Sequence, residues 1–130
     1  MRSSARFAFG VVVALALAAC GGGGGGSSTT ATCSPSGTSL SITAKNIQFD
    51  TDCLAAPAGK AFTIALDNQD PGTPHNLSIY SDPGMTQALF KGPIFSGVKT
   101  ETYGVHPLQA GTYHFHCDVH PSMDGTFVVA

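Results

Sequence analysis

The sequence predicts an all-β domain, a sandwich or barrel, and three observations carry that prediction. Short runs alternate apolar and polar residues with the period of half-buried strands. Turn signals punctuate them at fairly regular spacing, from Pro57-Ala58-Gly59 through Asp70-Pro71-Gly72, Asp82-Pro83-Gly84 and Ala110-Gly111 to Asp124-Gly125. No long stretch keeps a helical period, and no internal repeat is present.

Taken in order, Leu40-Ser41-Ile42-Thr43-Ala44 and Phe62-Thr63-Ile64-Ala65-Leu66 are the first alternating runs. His75-Asn76-Leu77-Ser78-Ile79-Tyr80 follows, with His75, Leu77 and Ile79 on one face. Val98 to Tyr103 reads as a strand exposed on one side, and residues 85–97 as a loop or short helix. In the next run Tyr113, Phe115 and Cys117 share the core face. Thr112, His114 and His116 take the other face, which makes the two histidines surface residues. Thr126-Phe127-Val128-Val129 is the last strand.

Ahead of this domain lies an address. Arg2 and Arg6 precede the apolar run Phe7 to Leu17, the basic and apolar regions of a secretory signal. At about a dozen residues the run is short of the ~20 that span a bilayer. Leu17-Ala18-Ala19-Cys20 resembles the lipobox of bacterial lipoproteins, in which the cysteine is acylated and becomes the new N-terminus. The Gly21–Gly26 run and the Ser and Thr residues after it then form a flexible tether. The expected organisation is a signal at 1–19, a lipidated Cys20 with its tether over 20–37, and one domain at 38–130. The product is lipid-anchored to the cell envelope, facing the periplasm or the exterior, and touches the membrane through the lipid alone.

Both arginines fall in the signal, so the mature chain sets four Lys against eight Asp and Glu, a formal charge of −4. An acidic domain without clustered Lys and Arg is a poor nucleic-acid binder, and that class is excluded. The glycine run lacks the lysine of a phosphate-binding loop, and no nucleophile-elbow motif is present. No catalytic residues are assigned.

Export places the chain where disulfides persist. With Cys20 acylated, Cys33, Cys53 and Cys117 remain. Cys33 and Cys53 flank the first strand and are expected to bridge, pinning the tether to the domain, which leaves Cys117 free.

Cys117 stands in His114-Phe115-His116-Cys117-Asp118-Val119-His120-Pro121-Ser122-Met123. A thiolate, an imidazole and a thioether at 117, 120 and 123 make a soft donor set on one loop, suited to copper in both oxidation states. His75, opening its strand after a Pro-Gly turn, supplies the second imidazole, and trigonal His2Cys with a weak axial Met is the blue-copper arrangement. Zinc is the competing metal, for which a thioether is an unusual ligand. A binuclear copper site needs a second loop cysteine, and this loop has only Cys117.

These residues resemble the cupredoxins, the small copper proteins that include plastocyanin, pseudoazurin and amicyanin. Pro74-His75-Asn76 is similar to the family's first-histidine motif, and Gly111 to Cys117 to its penultimate strand. The two-and-two ligand spacing is that of amicyanin. The resemblance spans residues 38–130 and implies a Greek-key sandwich, one type 1 copper on His75, Cys117, His120 and Met123, and Asn76 tying the ligand loops by hydrogen bonds. It departs at Asp118, where relatives often carry Ser or Thr, and at His116, where an aromatic is common. The implied function is one-electron transfer by a monomer to or from an envelope cytochrome or copper enzyme. The alternative is a periplasmic copper carrier that delivers its metal to another protein, with His106, His114 and His116 as a relay.

Overall fold

The computed structural model describes residues 32–130; the expected signal, Cys20 and most of the tether lie outside the described residues. Among the described residues there is no helix, and eight strands form two facing mixed sheets. The smaller sheet has the order β1 (Ser39–Ala44), β3 (Phe62–Asn68) and β6 (Lys99–Val105). The larger has the order β2 (Cys53–Ala56), β8 (Asp124–Val129), β7 (Gly111–His116), β4 (Ser78–Tyr80) and β5 (Ala88–Lys91). The chain crosses repeatedly from sheet to sheet, so β1 pairs β3 and β2 pairs β8 in parallel while the other pairs are antiparallel. This is the all-β sandwich that the strand pattern predicts and the resemblance implies.

Alternation becomes burial most plainly in β3, where every second residue from Phe62 to Asn68 is buried. Ile42, Ile64 and Leu66 from the smaller sheet meet Ile79, Phe115 and Phe127 of the larger one and Leu77 just ahead of β4, and all are essentially inaccessible. Phe62 stacks on Phe127 across the core, ring centroids 5.5 Å apart. Phe115 fits because Gly125 lies opposite it on β8: a Cβ there would collide with the Phe115 ring and with the Asp52 carbonyl.

Two strands were not foreseen. Residues 85–97 hold no helix; Ala88–Lys91 is the edge strand β5, with a register shift between Ile79 and Tyr80 of its partner. Its Ala-Leu-Phe-Lys sequence is too short to show a period. Cys53–Ala56 is β2, a four-residue strand whose two alanines conceal its alternation. The bridge between Cys33 and Cys53 is formed, with Cα atoms 6.0 Å apart, and it fastens the segment before β1 to the first residue of β2.

His114 and His116 correct the expectation that they are surface residues. They do face away from the Phe115 side, opposite Tyr80 and Ser78 of β4. Both are nonetheless buried, with Tyr80 edge-on to the His116 ring at 6.2 Å. A large aromatic on a neighbouring strand covers this part of the outer face, which alternation alone does not reveal.

Candidate metal centre

Three side chains predicted from sequence, His75, Cys117 and His120, meet at one end of the sandwich, with Met123 on the same loop as the last two. His75 sits just ahead of β4, held by reciprocal backbone hydrogen bonds with Phe95. Cys117 directly follows β7, and its N–H donates to the Met123 carbonyl at 2.8 Å. Met123 N–H donates in turn to the His120 carbonyl at 2.9 Å. These two bonds close residues 117–123 into a tight loop whose Cys, His and Met have fixed places.

The donor atoms converge. Cys117 Sγ lies 3.9 Å from His75 Nδ1 and 3.8 Å from His120 Nδ1, and the two imidazole rings are 4.8 Å apart. Among the described residues His75, Cys117 and His120 are the one set of three such side chains whose ligand atoms all lie within 4.8 Å of one another. Nitrogen and sulfur bonded to one ion at about 2.0–2.1 and 2.3 Å, and spread about 120° apart, stand about 3.8 Å from each other. The observed separations fit a trigonal ion of that size. His75, Cys117 and Met123 are fully buried, while His120 is partly exposed and marks the side open to solvent.

His75 is oriented by a residue that sequence reasoning treated only as part of a turn. Asp70 Oδ2 accepts from His75 Nε2 at 2.9 Å. An ionised carboxylate only accepts, so the Nε2 position carries the proton and Nδ1 presents its lone pair toward Cys117. Asp70 is itself fixed by the N–H groups of Asn46 and Ile47, at 2.6 and 3.0 Å. Both residues have left-handed backbone, with φ of 54° and 56°, an uncommon conformation for isoleucine that aims the two N–H groups at one carboxylate. The Ile47 N–H bond most of all holds Asp70 below the ordinary carboxylate range, against burial and with help from His75 and Asn46. The signal available in sequence was an Asp five residues before the candidate ligand His75, across a Pro-Gly turn.

Asn76 ties the two ligand-bearing segments together. Its Oδ1 accepts from the Asp118 N–H at 2.8 Å, and its Nδ2 donates to Asp118 Oδ2 and to the Gly92 carbonyl, both at 2.8 Å. Asp118 also accepts from Ser78 and Tyr80, each at 2.6 Å. Burial works against its ionisation, but the donors from Ser78, Tyr80 and Asn76, with the Lys91 charge, outweigh it and lower its pKa. His116 and His114 take no part in the convergent set, and His106 is exposed on another strand end.

Comparison with known proteins agrees with this geometry. The cupredoxin-like domain family matches residues 10–129. Amicyanin-alpha of Methylorubrum extorquens is 31% identical over 96 residues, covering 74% of this chain and 75% of that protein. Amicyanin of Paracoccus denitrificans is 29% identical over 91 residues, covering 70% and 65%. Among solved structures, auracyanin A, a "blue" copper protein of Chloroflexus aurantiacus, superposes with a TM-score of 0.63 at 21% identity, covering 72% of this chain and 99% of that one.

Proposed function

This chain belongs to the cupredoxin-like family, and from that premise we propose that it is a one-electron carrier of the cell envelope built on a single type 1 copper. The observation that supports this most is the convergence of one thiolate sulfur and two imidazole Nδ1 atoms at 3.8–3.9 Å, with buried Met123 on the same loop. Copper bound there supplies a centre that alternates between Cu(II) and Cu(I). The protein's part is to keep the donors still while it does so.

Asp70 holds the His75 ring, the Cys117–Met123 and Met123–His120 backbone bonds hold the loop, and Asn76 holds the two segments to each other. A cage fixed in this way suits both oxidation states without rearrangement and retains its metal. His120, the partly exposed ligand, is the natural point of electron entry and exit. We assign no enzymatic activity. The redox partner is an envelope cytochrome or copper enzyme, and the acidic mature charge favours one with a basic rim, at a rate that falls as salt rises.

The lipobox-like Leu17-Ala18-Ala19-Cys20 and the glycine run support anchoring by a lipid on Cys20. Cys20→Ser is expected to move the protein out of the membrane fraction, and a variant as membrane-bound as the parent would exclude that anchor. The function is tested by adding Cu(II), reducing the loaded protein with ascorbate, and then mixing the Cu(I) protein with a copper-free acceptor. An intense thiolate-to-copper band, reversible cycling and retained copper are expected. Stoichiometric copper handover with slow electron exchange would identify a copper carrier instead.

A further inference from the structure

Asp118 follows Cys117 directly in the chain, so its backbone is one peptide unit from that of the residue bearing the candidate metal-binding sulfur. Three side chains aim donors at it: Asn76 Nδ2 at 2.8 Å, Ser78 Oγ at 2.6 Å and Tyr80 Oη at 2.6 Å. Ser78 and Tyr80 occupy alternate positions of β4, on its outer face, and both are buried. A serine or threonine hydroxyl at 118 has two lone pairs and a proton of its own to place. An ionised carboxylate, which accepts at every position and donates at none, satisfies all three groups as donors at once. The surroundings are therefore matched to an anion and not merely to a loop fastener. Two cationic or titratable groups also face it: Lys91 Nζ of β5 at 3.9 Å, largely in solvent, and His116 Nδ1 at 3.7 Å, beyond hydrogen-bond reach.

We propose that Asp118 is a positioning residue that also acts through its charge: an anion built in beside Cys117 that holds the copper reduction potential down, with β4 clamping it in place. The inference rests on the copper reading above. A fixed negative charge stabilises the site with the extra positive charge, Cu(II), more than Cu(I). The hydroxyl dipoles of Ser78 and Tyr80 and the Lys91 ammonium each offset part of that field. Charge and offset thus make predictions of opposite sign, which a purely structural role does not.

The test is a redox titration of the copper-loaded chain and three variants, each first checked for the thiolate-to-copper band. Asp118→Asn keeps the shape and removes the charge. It is expected to shift the Cu(II)/Cu(I) ratio at fixed potential about tenfold toward Cu(I), a rise of about 59 mV for one electron. Tyr80→Phe and Lys91→Gln keep the anion and remove what offsets it, so both are expected to shift the ratio the other way by a smaller factor. A blue Asp118→Asn protein with an unchanged or lowered potential overturns the proposal. If that variant fails to bind copper, the other two decide: lowered potentials in both support it, and a rise or no movement in either overturns it. An unsubstituted protein with no blue band removes the copper reading first, and this inference with it.

Discussion

Replacing Asn76 with leucine, of similar size and shape, tests what holds the metal centre together. Asn76 is buried and makes three short hydrogen bonds, one accepted from the Asp118 N–H and two donated, to Asp118 Oδ2 and the Gly92 carbonyl. Leucine leaves the Asp118 N–H without a partner, at a cost of about 1–3 kcal/mol. It takes one donor from a carboxylate, a bond worth about 1.5–3 kcal/mol, and frees a neutral carbonyl whose bond is worth about 1 kcal/mol. These share partners and do not add fully, so a total of about 3–5 kcal/mol is expected. Urea unfolding of the copper-free protein measures it as a lower midpoint at unchanged slope. A second readout is the visible band of the copper-loaded protein, which should shift or broaden as the 117–123 loop loses its tie to the His75 segment. A loss below about 1 kcal/mol with an unaltered band would refute the idea that Asn76 couples the two segments.

Three further outcomes are expected. Met123→Leu, a nearly volume-conserving change at a buried site, should cost less than about 1.5 kcal/mol and keep the blue band. Its potential should rise on loss of the weak axial donor, and an unchanged potential would remove Met123 from the ligand set. The double variant Cys33→Ser, Cys53→Ser opens a loop of sequence separation 20 and should lose about 3 kcal/mol in denaturant unfolding while keeping its spectrum. Gly125→Ala drives a methyl group into the Phe115 ring and the Asp52 carbonyl, an overpacking of about 1–3 kcal/mol. A thermal scan should show a midpoint about 10 °C lower, and an unchanged midpoint would mean that β8 can move aside at no cost.

The sequence made the frame legible wherever one face of a strand is buried and the other wet. Phe62 to Asn68 shows this best, because the period of the side chains is the period of burial. The same logic failed where cover comes from a neighbouring strand, as with His114 and His116 beneath Tyr80. It failed too where strands are too short or too alanine-rich to display a period, as in β5 and β2. The candidate metal ligands could be picked out because chemistry restricts which residue types can serve, and three of the four lie on one loop. Their supports were harder to see. Asp70 looks like an ordinary turn residue until Asn46 and Ile47, more than twenty positions away, are found donating to it.

That asymmetry bears on whether the site keeps or gives away its metal. Ligand identity alone is compatible with a carrier of electrons and with a carrier of copper, since both want a thiolate, imidazoles and a thioether. What separates them is the stiffness of the donor set, and stiffness resides in groups that touch no metal. The His75 ring is fixed through Asp70 to the turn after β1, in the smaller sheet's part of the fold. The loop bearing Cys117, His120 and Met123 is fixed to β4 of the larger sheet through Asp118, Ser78 and Tyr80. The donors are therefore referred to both sheets of the sandwich, and spreading them to release an ion strains contacts on each. A protein built to hand over copper has no use for such bracing, whereas one that passes electrons depends on it, because every distance that stays constant lowers the cost of changing oxidation state.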